Sequence, residues 1–143
     1  MNVIKGAPFS AVTVADAFQK PVSMQSLSKL VYVAHGWHLA YTGVALVRET
    51  VVAEDYGIQY RELLKLYKQR RGLEVVGRLG SVEPSPHLKA WANNVQEAYQ
   101  HLSEEKLLGI VTMNKTPWSK IGRYPAPISD SEIRSYYCKR LGS

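Results

Sequence analysis

Side chains suited to catalysis or metal binding are few in this sequence: four histidines, one cysteine and some adjacent carboxylates. His35 and His38 stand three apart, so on a helix they share a face. That spacing can seat a metal, but a site needs three or four ligands. No HExxH pattern and no Cys/His cluster supplies the rest, and both read as hydrogen-bonded helix histidines. His87 and His101 lack ligand-type company. Cys138 lies among Tyr136, Tyr137, Lys139 and Arg140, cations that can favour a thiolate, yet no histidine base is identifiable for it. Glu54-Asp55 and Glu104-Glu105 are neighbours in sequence, so their side chains diverge on a helix. The second pair suits the positive end of a helix dipole. Gly77-x-x-Gly80 has neither the spacing nor the lysine of a phosphate loop. The expectation is a protein that is not an enzyme, with no catalytic residue, no metal and no cofactor. The enzymatic alternative would have to work through His35 or His38.

The stronger electrostatic feature is the stretch from Tyr60 to Arg71. Tyr60, Leu63, Leu64 and Tyr67 recur at helical spacing, and Arg61, Lys65, Lys68, Arg70 and Arg71 fill the other faces, with Gly72 as the stop. Interleaved tyrosine and arginine suit contact with an acidic protein surface or with phosphate. Exposed tyrosines and arginines are favoured where binding energy concentrates. The candidate partner-binding residues are therefore Arg48, Tyr56, Tyr60, Arg61, Arg70 and Arg71. For nucleic acid the candidates are Lys65, Lys68, Arg70 and Arg71. Net charge is +6, from 18 basic and 12 acidic residues, a moderate excess compatible with either partner.

These residues need elements to hold them. Ser26 to Gly43 is the longest strongly apolar stretch, and Leu27, Leu30, Val31, Ala34, Trp37, His38 and Tyr41 follow the i, i+3, i+4, i+7 rule. Val33, Leu39 and Ala40 widen the stripe until the helix is nearly surrounded. Ser23 or Ser26 caps its start, and Gly43 stops it. A short helix from Thr13, the expected cap, to Gln19 precedes it. Residues 44–53 mix β-branched types around Arg48-Glu49-Thr50 and read as a small hairpin or an extended arm, with a turn at Asp55-Tyr56-Gly57. A short strand and loop is expected across 73–82. Ser85-Pro86 and Ser103-Glu104-Glu105 start two further helices. Thr116-Pro117-Trp118 starts a turn or short helix, and Pro125 and Pro127 make a connector. Ser129 with Glu132 forms a capping box for a last helix docked by Ile133, Tyr136 and Tyr137.

The length of 143 residues points to one domain over 1–143, large enough to bury a core without metal or disulfide. The fold class expected is mostly α, a single compact helical domain around a central buried helix at about residues 24–42. No apolar run is long enough to span a bilayer, and the first ten residues lack a signal-peptide core. With a single cysteine, these features suit the cytoplasm.

The central stretch resembles the Panacea antitoxin domain family, which includes SocA-like antitoxins and phage-associated proteins. The matching pieces are Leu30-Val31-Tyr32 through His35-Gly36-Trp37-His38-Leu39-Ala40 with Gly43 and Leu46, then Glu54 to Gly57, then Thr116-Pro117-Trp118, then Ile133 with Tyr136 and Tyr137. They come in the family's order over roughly residues 24 to 139. The first piece, KLxYxAxGWxLAxxG, is the most specific. The chain departs from the family at Ala53-Glu54-Asp55-Tyr56-Gly57-Ile58-Gln59, where a tryptophan and a proline are missing. It departs again at Val111-Thr112-Met113-Asn114-Lys115, which lacks a histidine. The resemblance implies a mostly helical domain that neutralises a protein partner, a toxin or a host defence protein, by direct binding. In some members the domain hands the toxin to a protease. Phage-borne inhibitors also occur in the family.

Overall fold

The computed structural model describes residues 2–69 and 79–141. Within them the protein is mostly helical with a small antiparallel sheet. The helices are α1 (Ala11–Asp16), α2 (Met24–Thr42), α3 (Arg61–Gln69), α4 (Pro86–Tyr99), α5 (Glu104–Thr112) and α6 (Asp130–Leu141). The strands are β1 (Val52–Glu54), β2 (Gly57–Gln59) and β3 (Ala126–Pro127), in the order β2-β1-β3. No helix among the described residues is long and apolar enough to cross a membrane.

The middle of the molecule is α2. Ser23 accepts the Ser26 N–H at its start, and Gly43 closes it at a φ of 76°, a left-handed setting that costs glycine little. Between the caps, Leu27, Val31, Val33, Ala34 and Leu39 are buried on successive faces. A helix apolar on all sides is stable only when other elements surround it, and all five other helices pack against α2.

The closest of these contacts is with α6. Gly36 lies directly beneath the Tyr137 ring, and a Cβ there would sit inside the ring's van der Waals surface. Tyr137 also meets Trp37 edge-on at 4.9 Å and Tyr32 at 6.3 Å. On the α4 side, Trp91 Nε1 donates to the Ala34 carbonyl at 3.0 Å, satisfying a polar edge that burial would otherwise penalise.

The serine caps at Ser85 and Ser103 form as the sequence predicts, and Ser129 accepts the Glu132 N–H at 3.3 Å. Other elements differ from expectation. Helix α1 starts earlier, capped by Ser10, while Thr13 sits inside it as a buried residue. Glu49 reinforces this start by accepting the Ala11 N–H at 2.8 Å, a tertiary contact invisible to local pattern. Asp16 ends α1 and accepts N–H groups from Leu79 and Gly80 at 2.7 and 2.9 Å.

Residues 44–51 form an irregular arm of successive bends, bridged to the segment before α1 at Phe9↔Val47. The hairpin begins at the arm's end, with Glu54↔Gly57 closing the two-residue turn Asp55-Tyr56. The proline connector supplies β3, paired at Val52↔Pro127 and Ala53↔Ala126. Prolines lack the N–H of an inner strand, and β3 lies at the sheet's edge. The strand and loop expected across 73–82, and the Gly72 stop, fall largely outside the described residues.

Candidate functional site

The two central histidines act as pins. His35 is 2% exposed. Its Nδ1 accepts the Val47 N–H at 3.0 Å, which leaves the proton on Nε2, 2.8 Å from Asp130 Oδ1. One ring thus ties α2 to the arm and to the first residue of α6. His38 Nδ1 donates to the Val44 carbonyl at 2.7 Å, and its Nε2 accepts the Ile4 N–H at 3.4 Å. Burial holds the His38 pKa below its ordinary value, offset in part by the Val44 carbonyl and deepened by nearby His35. All four ring nitrogens are therefore engaged, and neither ring has a lone pair to offer a metal or a substrate proton. Among the described residues no group of three metal-ligating side chains occurs. The Cys138 sulfur faces the Ala40 carbonyl at 4.0 Å.

The candidate site lies around the hairpin and α3. A groove of about 480 Å³ opens between α2, β2, α3 and α5. Leu64 and Tyr67 from α3, Leu108 from α5 and Met24 from α2 make its apolar walls, and Glu104 and Glu105 stand at its rim. Tyr56, at the hairpin tip, overhangs it and is 55% exposed. Its hydroxyl pKa is raised, chiefly by partial burial and then by Glu54.

Lys29 also lines the groove, half-buried, with its ammonium donating to the Gln25 carbonyl at 2.6 Å. Burial lowers its pKa, and Glu104 partly restores it. Beneath the hairpin, Ser28 Oγ donates to Gln59 Oε1 and accepts the Tyr60 N–H at 3.5 Å. Trp118 Nε1 donates to the Glu54 carbonyl at 2.7 Å. The hairpin is thus braced from both sides while its tip stays free.

Among protein-family models, curated proteins and solved structures, none matches this chain.

The structure brings four of the expected contact residues to this side. Tyr56 overhangs the groove, while Arg61, Lys65 and Lys68 line a shallower hollow on the outer face of α3. Leu64 borders both hollows. Arg61 is paired with Glu54 at 3.4 Å, so part of its charge is already answered. Arg48 is exposed on the arm and lines neither hollow. Arg70 and Arg71 lie outside the described residues.

Tyr60 is a correction. It is 1% exposed and belongs to the core, so it cannot be a contact residue. It stands between β2 and α3, where the chain turns inward, and its hydroxyl finds no partner among the described residues. Helical spacing grouped it with Leu63, the one fully buried residue of α3. The groove-forming role of Leu64, Tyr67 and Leu108 was not apparent beforehand. The signal for it was present: α3 carries four apolar residues among nine, more than a short outer helix can bury.

Proposed function

We propose that the protein is a non-enzymatic binding module that neutralises a protein partner, a toxin or a host defence protein, by direct contact in the manner of an antitoxin. The observation that carries this reading is the groove at the hairpin. It combines apolar walls and an exposed tyrosine with charged residues at the rim, the apolar-centre and polar-rim arrangement of protein-recognition surfaces. The occupied histidines support it by removing the most plausible catalytic pair. The ordered sequence pieces shared with the Panacea antitoxin domain support it independently. The hairpin tip, where the chain departs from that family's pattern, is the part of the groove best placed to choose the partner.

The test is growth rescue. Each reading frame beside the coding gene is expressed with the wild-type chain and with Leu64→Glu, which places a charge on the groove wall. Rescue of a toxic neighbour by the wild type and its loss with the variant, at equal soluble yield, supports the reading. If no neighbouring product is neutralised and none binds the purified chain, the reading fails.

The alternative, nucleic-acid binding, draws support from exposed Lys65 and Lys68 on α3. The Glu54 carboxylate shares their hollow and opposes a phosphate. This reading requires retention of DNA or RNA that weakens steeply with salt. No retention at low salt rules it out.

A further inference from the structure

A second surface, along α6, has a different chemistry. Glu132, Ser135, Tyr136, Lys139 and Arg140 follow the i, i+3, i+4, i+7, i+8 spacing of one helical face, beside the buried Ile133 and Tyr137. Against this face stands the turn that follows α5. Together they enclose a hollow of about 450 Å³. Lys115, Lys120, Lys139 and Arg140 line it against the single acid Glu132. Among the described residues Lys115, Lys120 and Lys139 have no ion-pair partner within 4.0 Å. The three lysines outnumber the one acid, and their mutual repulsion is relieved when an anionic ligand binds.

The backbone supplies an independent observation. Lys115 has a φ of 72°, the one positive φ of a non-glycine residue among those described. Its turn is closed by Thr116 N–H to the Met113 carbonyl at 3.2 Å, and Thr116 Oγ1 donates to the same carbonyl at 2.7 Å. Glycine or asparagine takes this setting at lower cost. A lysine here spends conformational energy to put an ammonium at the hollow's edge.

We infer that this hollow is a docking surface for an acidic polypeptide segment that carries apolar side chains between its carboxylates. The apolar side chains would meet Met113, which is 42% exposed, and Pro117. A nucleic-acid strand fits less well. Glu132 interrupts any continuous phosphate track, and the Tyr136 ring is already covered by the Arg140 guanidinium at 4.5 Å, so it offers no stacking platform. The inference does not depend on the hairpin groove.

The test uses the full chain, a fluorescein-labelled peptide that alternates glutamates with leucines, and single- and double-stranded oligonucleotides of the same charge. Binding is followed by anisotropy, and the site is located by amide shifts. The peptide is expected to shift residues 113–120 and 132–140. Lys115→Gly separates binding from folding, because it relieves the backbone while removing the charge. It should melt no lower than the wild type and bind the peptide at least about fivefold more weakly. Lys120→Glu should weaken it further, and Lys65→Glu on α3 should change it less than about twofold. Peptide binding that is absent, or unchanged in Lys115→Gly and Lys120→Glu, overturns the inference. So does tighter binding of an oligonucleotide at these residues.

Discussion

The α2–α6 seam and the hairpin–α3 side are built to opposite ends. At the seam packing decides the arrangement: Gly36 admits the Tyr137 ring, His35 bridges Val47 and Asp130, and the enclosed Tyr32 and Tyr136 hydroxyls have no hydrogen-bond partner among the described residues. At the hairpin, Tyr56 is largely exposed, Leu64 is half-buried and Arg61 keeps only one long ion pair. The seam holds the most distinctive residues of the sequence and spends them on packing. The hairpin side is made of ordinary residue types, and it is where surface remains free for a partner. Distinctive pattern in this protein marks constraint from inside the fold.

Breaking the seam should have the largest effect. Gly36→Ala cannot be accommodated by a small rotation, because the Tyr137 ring is itself enclosed by Tyr32, Trp37 and Tyr136. We expect a loss of about 3 kcal/mol or failure to fold, read by urea denaturation. A loss below about 1 kcal/mol would show that the two helices can separate. Next comes His35→Phe, which fills the space but orphans the buried Val47 N–H and releases Asp130. It should cost about 2 kcal/mol in the same measurement.

Acid should act more gently, at the His38 contacts of α2 with the arm and with Ile4. Burial holds His38 below its ordinary value of 6.5, so the unfolded chain binds that proton more readily. The contribution is complete above roughly pH 6.5 and is lost as pH falls towards the lower, folded-state pKa. Stability profiles should fall on this acid side and do so less steeply in His38→Gln. Equal slopes would assign the loss to other groups. On the open side, Tyr56→Ser should change stability by less than about 0.5 kcal/mol, while weakening capture of the partner identified by growth rescue. A large stability loss there would erase the contrast between the two regions.

What could be read beforehand follows from how local each determinant is. The central helix was legible because its caps, Ser23 and Gly43, and its apolar spacing lie within one stretch. Ser85 and Ser103 were legible for the same reason. The hairpin began later than the β-branched residues suggested, because the arm takes its partner from Phe9, far away in sequence. Pro127 became a strand residue through pairing with Val52, which no local pattern announces. The α1 cap was misplaced because Ser10 and Thr13 are both competent caps, their hydroxyls 2.9 Å apart. At the candidate site, Tyr56, Arg61, Lys65 and Lys68, chosen from residue type alone, lie at the two hollows. Tyr60 was misassigned, since one period separates it from a core residue and its burial depends on where the chain turns. Lys29 and Leu108 were missed because the groove forms only when α2 and α5 come together.

The position of α2 has a consequence for how the molecule opens. Because all five other helices lean on it, lifting any one of them uncovers only part of its surface, and α2 cannot be fully uncovered while the rest stays folded. Its amides should exchange with solvent only through global unfolding, at one common free energy, while those of α3 and the hairpin tip exchange through smaller openings. Amide exchange would then draw the same boundary between scaffold and working surface, one hydrogen at a time.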